Sequence, residues 1–235
     1  MRIMLLLMFI LSWQVAAKSK TLRVAVNFGP PWAFYQEGSG VTGIDVEIIR
    51  HILSSLGYES EFHLLGYSRL IKEFNEGKYD VASPAAFTAE NGYLTKNYQP
   101  FHDVAVSLRK HKHRIDTIAD LKGKNIIAYQ FARSVLGDEF DQAVNDANYL
   151  EVAERELQLK LLVNDRTDVV IGERRLLNYI MQQHFPDNKL TVHPIFVAKS
   201  YGAIIKDPHL QQQFDRELLN MQANGVYQQI LSKWP

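Results

Sequence analysis

The 235-residue chain contains no cysteine. That excludes disulfide staples, thiolate metal sites, a cysteine nucleophile and a lipid-modified N-terminal cysteine. There is no surplus of charge either, since 26 lysines and arginines face 26 aspartates and glutamates. No global field therefore draws the chain to nucleic acid or to an anionic membrane surface, and a small molecule is the better ligand. Long apolar runs are also scarce. One follows Arg2, at residues 3–13, and leads into Val15-Ala16-Ala17, so residues 1–17 are expected to be a cleavable signal peptide that sends the remainder to the periplasm. No later segment approaches the roughly 20 apolar residues of a membrane-spanning helix. Missing too are a Gly-Lys-Ser/Thr phosphate loop, a Gly-x-Gly-x-x-Gly turn and a Gly-x-Ser-x-Gly elbow, which weakens nucleotide binding and serine hydrolysis. No cofactor is expected.

What is present centres on residues 21–57. Leu22, Val24 and Val26 alternate with Arg23 and Ala25 as a short strand, which Gly29, Pro30 and Pro31 bring to an end after Asn27. The loop beyond carries Trp32, Phe34 and Tyr35. A helix then follows, with Ile48, Ile49, Ile52, Leu53 and Leu56 at helical spacing and Gly57 as its stop. Strand, aromatic loop and helix in that order place the loop at the carboxyl end of a strand, where open α/β sheets bind ligands. Core plugging is an equal reading of Trp32 and Phe34 on composition alone.

Further along, strands are expected at residues 59–65, 104–108, 125–129, 149–153, 168–171, 190–197 and 201–205, with helices between most of them. Such alternation predicts a mostly parallel sheet. Gly77-Lys78-Tyr79-Asp80-Val81 is echoed by Asp165-Arg166-Thr167-Asp168-Val169, in each case an apolar helix, a polar turn with a cation, and an aspartate opening a strand. The echo points to two similarly built halves. The basic segment 109–114 reads as a solvated crossing between them. His111 and His113 within it, of eight histidines in all, have no carboxylate at compact ligand spacing, so no metal site is expected.

Four groups follow apolar strands: residues 27–35, 84–91, 131–134 and Glu173. If the halves face one another, these line the cleft between them. Trp32 and Phe34 would stack on a ligand. Asn27, Thr88, Asn91 and Ser134 would hydrogen-bond it, and Arg69 or Arg133 with Glu173 would supply opposite charges.

Leu22-Arg23-Val24 with the Pro-Pro-aromatic loop, Thr42-Gly43-Ile44-Asp45-Val46, Gly77-Lys78-Tyr79-Asp80-Val81, Asp120-Leu121-Lys122-Gly123-Lys124, Asp168-Val169-Val170-Ile171-Gly172, Tyr201-Gly202-Ala203-Ile204 and Gly225-Val226-Tyr227 with Trp234 together resemble the family 3 periplasmic solute-binding proteins. These are the polar amino acid receptors of ABC importers. The resemblance implies a type II, two-lobed clamshell whose lobes are mixed, mostly parallel sheets flanked by helices. Lobe 1 would comprise residues 20–108 plus 200–235 and lobe 2 residues 109–199, with hinge crossings near 106–112 and 196–201. It implies a monomer without catalytic activity that captures a small polar solute for an inner-membrane ABC permease.

Two departures bear on the solute. The family's Thr-Pro-Glu-Arg, whose arginine clamps an α-carboxylate, is matched here by Thr88-Ala89-Glu90-Asn91. Glu173 stands where the family carries an aspartate for the α-ammonium. Both point away from an ordinary α-amino acid: either Arg69 or Arg133 supplies the cation, or the ligand has no free carboxylate. A signalling receptor docking on a membrane sensor is one alternative. Another is a cyclohexadienyl-dehydratase-like enzyme on the same scaffold, with Glu173 as general acid.

Overall fold

The computed structural model describes residues 20–87, 90–145 and 148–234. The expected signal peptide and Thr88 lie outside them.

The chain opens with β1 (Thr21–Asn27) and a hairpin of β2 (Phe34–Gln36) and β3 (Gly40–Thr42). Next come α1 (Ile44–Ser55), β4 (Glu59–Leu65), α2 (Tyr67–Asn75), β5 (Val81–Ser83) and β6 (Tyr93–Leu94). β7 (Gln99–Phe101) leads to β8 (Asp103–Leu108), β9 (Asn125–Ala128), α3 (Ala132–Leu136), α4 (Asp138–Val144), β10 (Asn148–Glu151) and α5 (Arg155–Val163). Then follow β11 (Val169–Glu173), α6 (Arg174–His184), β12 (Leu190–His193) and β13 (Lys199–Tyr201). β14 (Ile204–Ile205), α7 (Pro208–Ala223) and α8 (Val226–Lys233) end the chain.

Two five-stranded sheets result, ordered β4-β1-β5-β14-β6 and β10-β9-β11-β8-β12. In each, the first three strands are parallel and the last two antiparallel to their neighbours. The echo noted above has one structural job in both lobes. Asp80 accepts from the Arg23 backbone N–H at 2.8 Å and returns its own N–H to the Arg23 carbonyl at 2.9 Å. Asp168 does the same with Asn125, at 2.8 and 2.9 Å. Each aspartate thereby sets the register of the strand it opens against the strand beside it.

The apolar cores divide in the same way. Leu22, Val24, Ile49, Val81 and Tyr98 pack with Ala203, Phe214 and Ile230, and Ala25 with Leu70 and Phe74. Val104, Ile127, Leu159, Val170 and Leu177 form part of the second core, and Ile126, Phe140, Ile171 and Phe196 the rest. Between these bodies the chain passes twice, and β7 and β13 pair there as a two-stranded antiparallel ribbon outside both sheets.

This shifts one expected boundary. Residues 103–108, assigned by sequence to the first lobe, pair between β11 and β12 in the second sheet, so the first passage falls at β7 and not near 106–112. Every residue of β8 is buried, as suits an inner strand. The basic segment after it is an exposed turn at the far end of that sheet, where Lys110 and His111 bond Asp165 at 2.8 and 2.7 Å. The single strand expected at 201–205 is split in two. A Cβ on Gly202 would stand 2.5 Å from Thr95 Oγ1, so the chain bends closely past Thr95 between β13 and β14.

The Trp32 loop is fixed by Gly43. Ile44 N–H donates to the Pro31 carbonyl at 2.9 Å and Asp45 N–H to the Trp32 carbonyl at 3.0 Å. Asp45 is buried, with its carboxylate receiving Tyr98 OH at 2.7 Å and Ser83 Oγ at 3.0 Å, and burial pushes its pKa up to about 6. Gly43 has φ 126°, and a Cβ there would lie 2.4 Å from the Trp32 carbonyl oxygen. Gly43→Ala is therefore expected to cost about 3 kcal/mol or more, seen as a fall in Tm of roughly 6–12 °C. Gly57→Ala, at φ 82° with open space around it, serves as the comparison and should cost only about 1 kcal/mol. Equal losses at the two positions would mean that the Trp32 loop does not rest on Gly43.

Candidate functional site

Of the four strand-end groups, the Trp32 loop and the end of β11 meet across the lobes. Trp32, held by Gly43 in the first lobe, donates its indole N–H to Glu173 Oε2 at 3.0 Å across the gap between lobes. Both residues are buried, at 6% and 4% exposure. Glu173 closes β11 and caps α6. Its Oε1 accepts from Arg175 N–H at 3.1 Å and its Oε2 also from Leu176 N–H at 2.8 Å, a helix N-terminus being a natural seat for a carboxylate. Burial pushes its pKa up and nearby Asp103 adds to this, while the bonds from Trp32, Leu176 and Arg175 oppose the rise.

The contact extends along α6. Phe34 packs on Tyr179 at 5.6 Å between ring centroids and edge-on to Trp234 at 5.5 Å. A Cβ on Gly29 would lie 3.3 Å from Leu176 Cδ1, so only a residue without a side chain fits there undisturbed. Arg175 reaches back to the Trp234 carbonyl at 3.2 Å. Trp32 and Glu173 thus meet in direct contact, as a latch with no room between them for a solute.

The other expected site residues are placed as follows. Asn27 donates its side-chain amide to the Leu65 carbonyl at 3.1 Å, tying the ends of β1 and β4 together. Arg69 is exposed and paired with Glu73 one helical turn on, Nε to Oε1 at 2.9 Å. Arg133 donates to Asp141 Oδ1 at 2.6 Å and Asn145 Oδ1 at 2.8 Å, with its guanidinium 4.6 Å over the Tyr149 ring. Each arginine is therefore bound to a carboxylate of its own lobe, a local pairing that strand-and-loop reading could not foresee. Asn91 and Ser134 are exposed. Sequence reasoning did not select Tyr67, Asp103, Tyr129, Arg155 or Tyr201.

Tyr201 ends the second strand of the inter-lobe ribbon, and Asp103 comes just after the first. Tyr67, first in α2, accepts the Ala86 N–H on its hydroxyl at 3.1 Å, and burial pushes its pKa up to about 12. Ala85 N–H donates to the Gly202 carbonyl at 2.8 Å, next to Tyr201. From the second lobe, Tyr129 OH donates to Asp103 Oδ2 at 3.0 Å, and the Arg155 guanidinium stands 5.0 Å from the Tyr129 ring centroid. A signal for three of them existed in the order of elements: Tyr67, Tyr129 and Arg155 come two, one and four residues after the ends of β4, β9 and β10.

Two lobes with separate cores, joined by a ribbon and latched through strand-end loops, define the class of two-lobed solute receptors. The sequence model for bacterial extracellular solute-binding proteins, family 3, matches residues 22–235, and the chain belongs to that family. Among relatives, it is 26% identical over 196 residues to the probable ABC transporter extracellular-binding protein YckB of Bacillus subtilis, covering 77% of this chain but only 64% of that one. It is 26% identical over 217 residues to the arginine-binding extracellular protein ArtP of the same organism, covering 85% and 80%. Among solved structures, the GluR0 ligand-binding core in complex with L-glutamate is similar in fold, with a TM-score of 0.76 at 24% identity over 93% of this chain and 99% of that one. The family description and the names of these relatives are those of binding proteins.

A double-mutant cycle of Trp32→Phe and Glu173→Gln tests the latch. Urea unfolding should give a coupling of about 1.5–3 kcal/mol, the range for a hydrogen bond to a charged group. A coupling near zero would mean that the indole and carboxylate do not meet in solution.

Proposed function

We propose that this protein is a periplasmic receptor that captures a small polar, amino-acid-like solute between its lobes and delivers it to an ABC permease in the inner membrane, working as a monomer. The observation that carries this reading is the buried Trp32–Glu173 bond, because it joins groups 141 residues apart on the two opposed bodies. A contact of that kind is made when the lobes are together and is lost when they part. The paired β7 and β13 strands act as the hinge, with residues 20–98 and 203–234 on one side and 104–196 on the other.

A ligand drives closure only through its higher affinity for the closed form. The latch supplies part of the closed form's stability in advance, and the solute supplies the remainder. The names of the relatives support the transport assignment, with ABC transport in one and arginine in the other.

Ligand-stripped protein, unfolded and refolded, should be screened by thermal shift against amino acids, short peptides, polyamines and sugars. A true ligand at about a thousand times its Kd stabilises by about 4 kcal/mol, or roughly 8–16 °C in Tm. Small-angle scattering should show compaction with the same compound. If no compound raises Tm and nothing copurifies with the native protein, the receptor reading fails.

A further inference from the structure

Among the described residues, five buried side-chain polar atoms have no hydrogen-bond partner, and three of them, Asp103 Oδ1, Arg155 Nη1 and Gln158 Oε1, belong to one corner of the second lobe. Unpaired buried polar atoms are uncommon and costly, so three in one place ask for an explanation. The other two, on His63 and Asn75, belong to the first lobe.

The corner is built for a ligand by position. Asp103 opens β8 directly after the ribbon and is the register partner of Glu173 on β11. Tyr129 follows β9, on the far side of β11, so its side chain crosses the end of that strand to reach Asp103 Oδ2. Arg155 starts α5 just beyond β10, beside the Tyr129 ring. Gln158, one turn further, is held by the Ala128 carbonyl at 3.1 Å and the Val152 carbonyl at 2.5 Å, which fixes the α5 end against β9. Asp103 is 7% exposed and has one oxygen satisfied and one not.

We propose that Asp103 and Arg155, bridged by Tyr129, form the subsite for the charged head of a zwitterionic solute, with Asp103 Oδ1 accepting from its ammonium and Arg155 Nη1 donating to its carboxylate. This rests on the receptor reading above and names the chemistry of its ligand. Arg155 takes the part that neither Asn91 nor the paired Arg69 and Arg133 performs, and a guanidinium is the group best suited to a carboxylate. Opposite signs on the two groups select against solutes with a single charge, because one buried group would then stay unpaired. Burial pushes the Asp103 carboxyl pKa up and lowers that of the Arg155 guanidinium, so both gain when counter-charges arrive.

The test is thermal shift and calorimetry with the twenty proteinogenic L-amino acids and L-cystine, each beside its carboxamide. The wild type should bind at least one acid and prefer it to its amide by about tenfold or more. Asp103→Asn and Arg155→Gln should each weaken that acid by about tenfold or more, and Arg155→Gln should bring acid and amide within about threefold of each other. Arg155→Lys keeps the charge and should retain part of the preference, while Arg69→Gln and Arg133→Gln should leave it intact. If Arg155→Gln keeps the wild-type preference for the acid, the assignment is overturned. If the wild type binds no free amino acid but does bind a sugar or polyamine, the subsite is wrong and the receptor stands.

Discussion

Everything in this molecule turns on a carboxylate that is taken out of water at the junction of two lobes. Glu173 is buried at the end of a strand, and a carboxylate so placed must be surrounded by donors or give up its charge. Two donors come from its own helix and one from the opposite lobe. Only the third depends on the lobes being together, so the indole of Trp32 makes closure a matter of electrostatics as well as packing. Opening exposes the carboxylate to water, which replaces the lost bond.

Geometry protects that arrangement from both sides. Gly43 lets the chain pass directly under Trp32, and Gly29 lets Leu176 approach where any side chain would crowd it. In both lobes an aspartate pins the start of one inner strand to its neighbour, so the strand ends that carry the site are set from the opposite end of each sheet. The ribbon of β7 and β13 is held by its own pairing, by the Phe101–Tyr201 ring contact at 5.8 Å and by Lys199, which donates to the Val135 carbonyl at 3.2 Å. In the proposed receptor it is the hinge.

Much of the fold was legible because local pattern and global architecture agree. Alternation in residues 21–27, helical spacing in α1 and the Asp80 and Asp168 echoes each report a local rule the structure obeys. The boundary at β8 was misplaced because basic residues 109–114 look like a linker, whereas a surface turn has the same composition. Of the candidate site, Trp32 and Glu173 were readable as strand-end groups, but their direct bond was not, since it joins positions 141 apart in sequence. Asp103 and Arg155 went unnoticed because each sits singly among ordinary neighbours, and the feature that distinguishes them is the missing partner, which only coordinates reveal. The arginine absent at position 91 had pointed away from amino acids. In the proposed subsite, Arg155 from the other lobe takes that arginine's place.

Because the chain has no native cysteine, labels can be placed at will. Ser39→Cys and Gln183→Cys, on exposed positions of opposite lobes, report the gap by pulsed electron paramagnetic resonance. With the indole N–H bond in place, the distance distribution should hold a short population that grows with ligand, and Trp32→Phe should move it toward longer distances. A distribution that ignores both the ligand and the loss of that N–H would show that the lobes are not held together through Glu173.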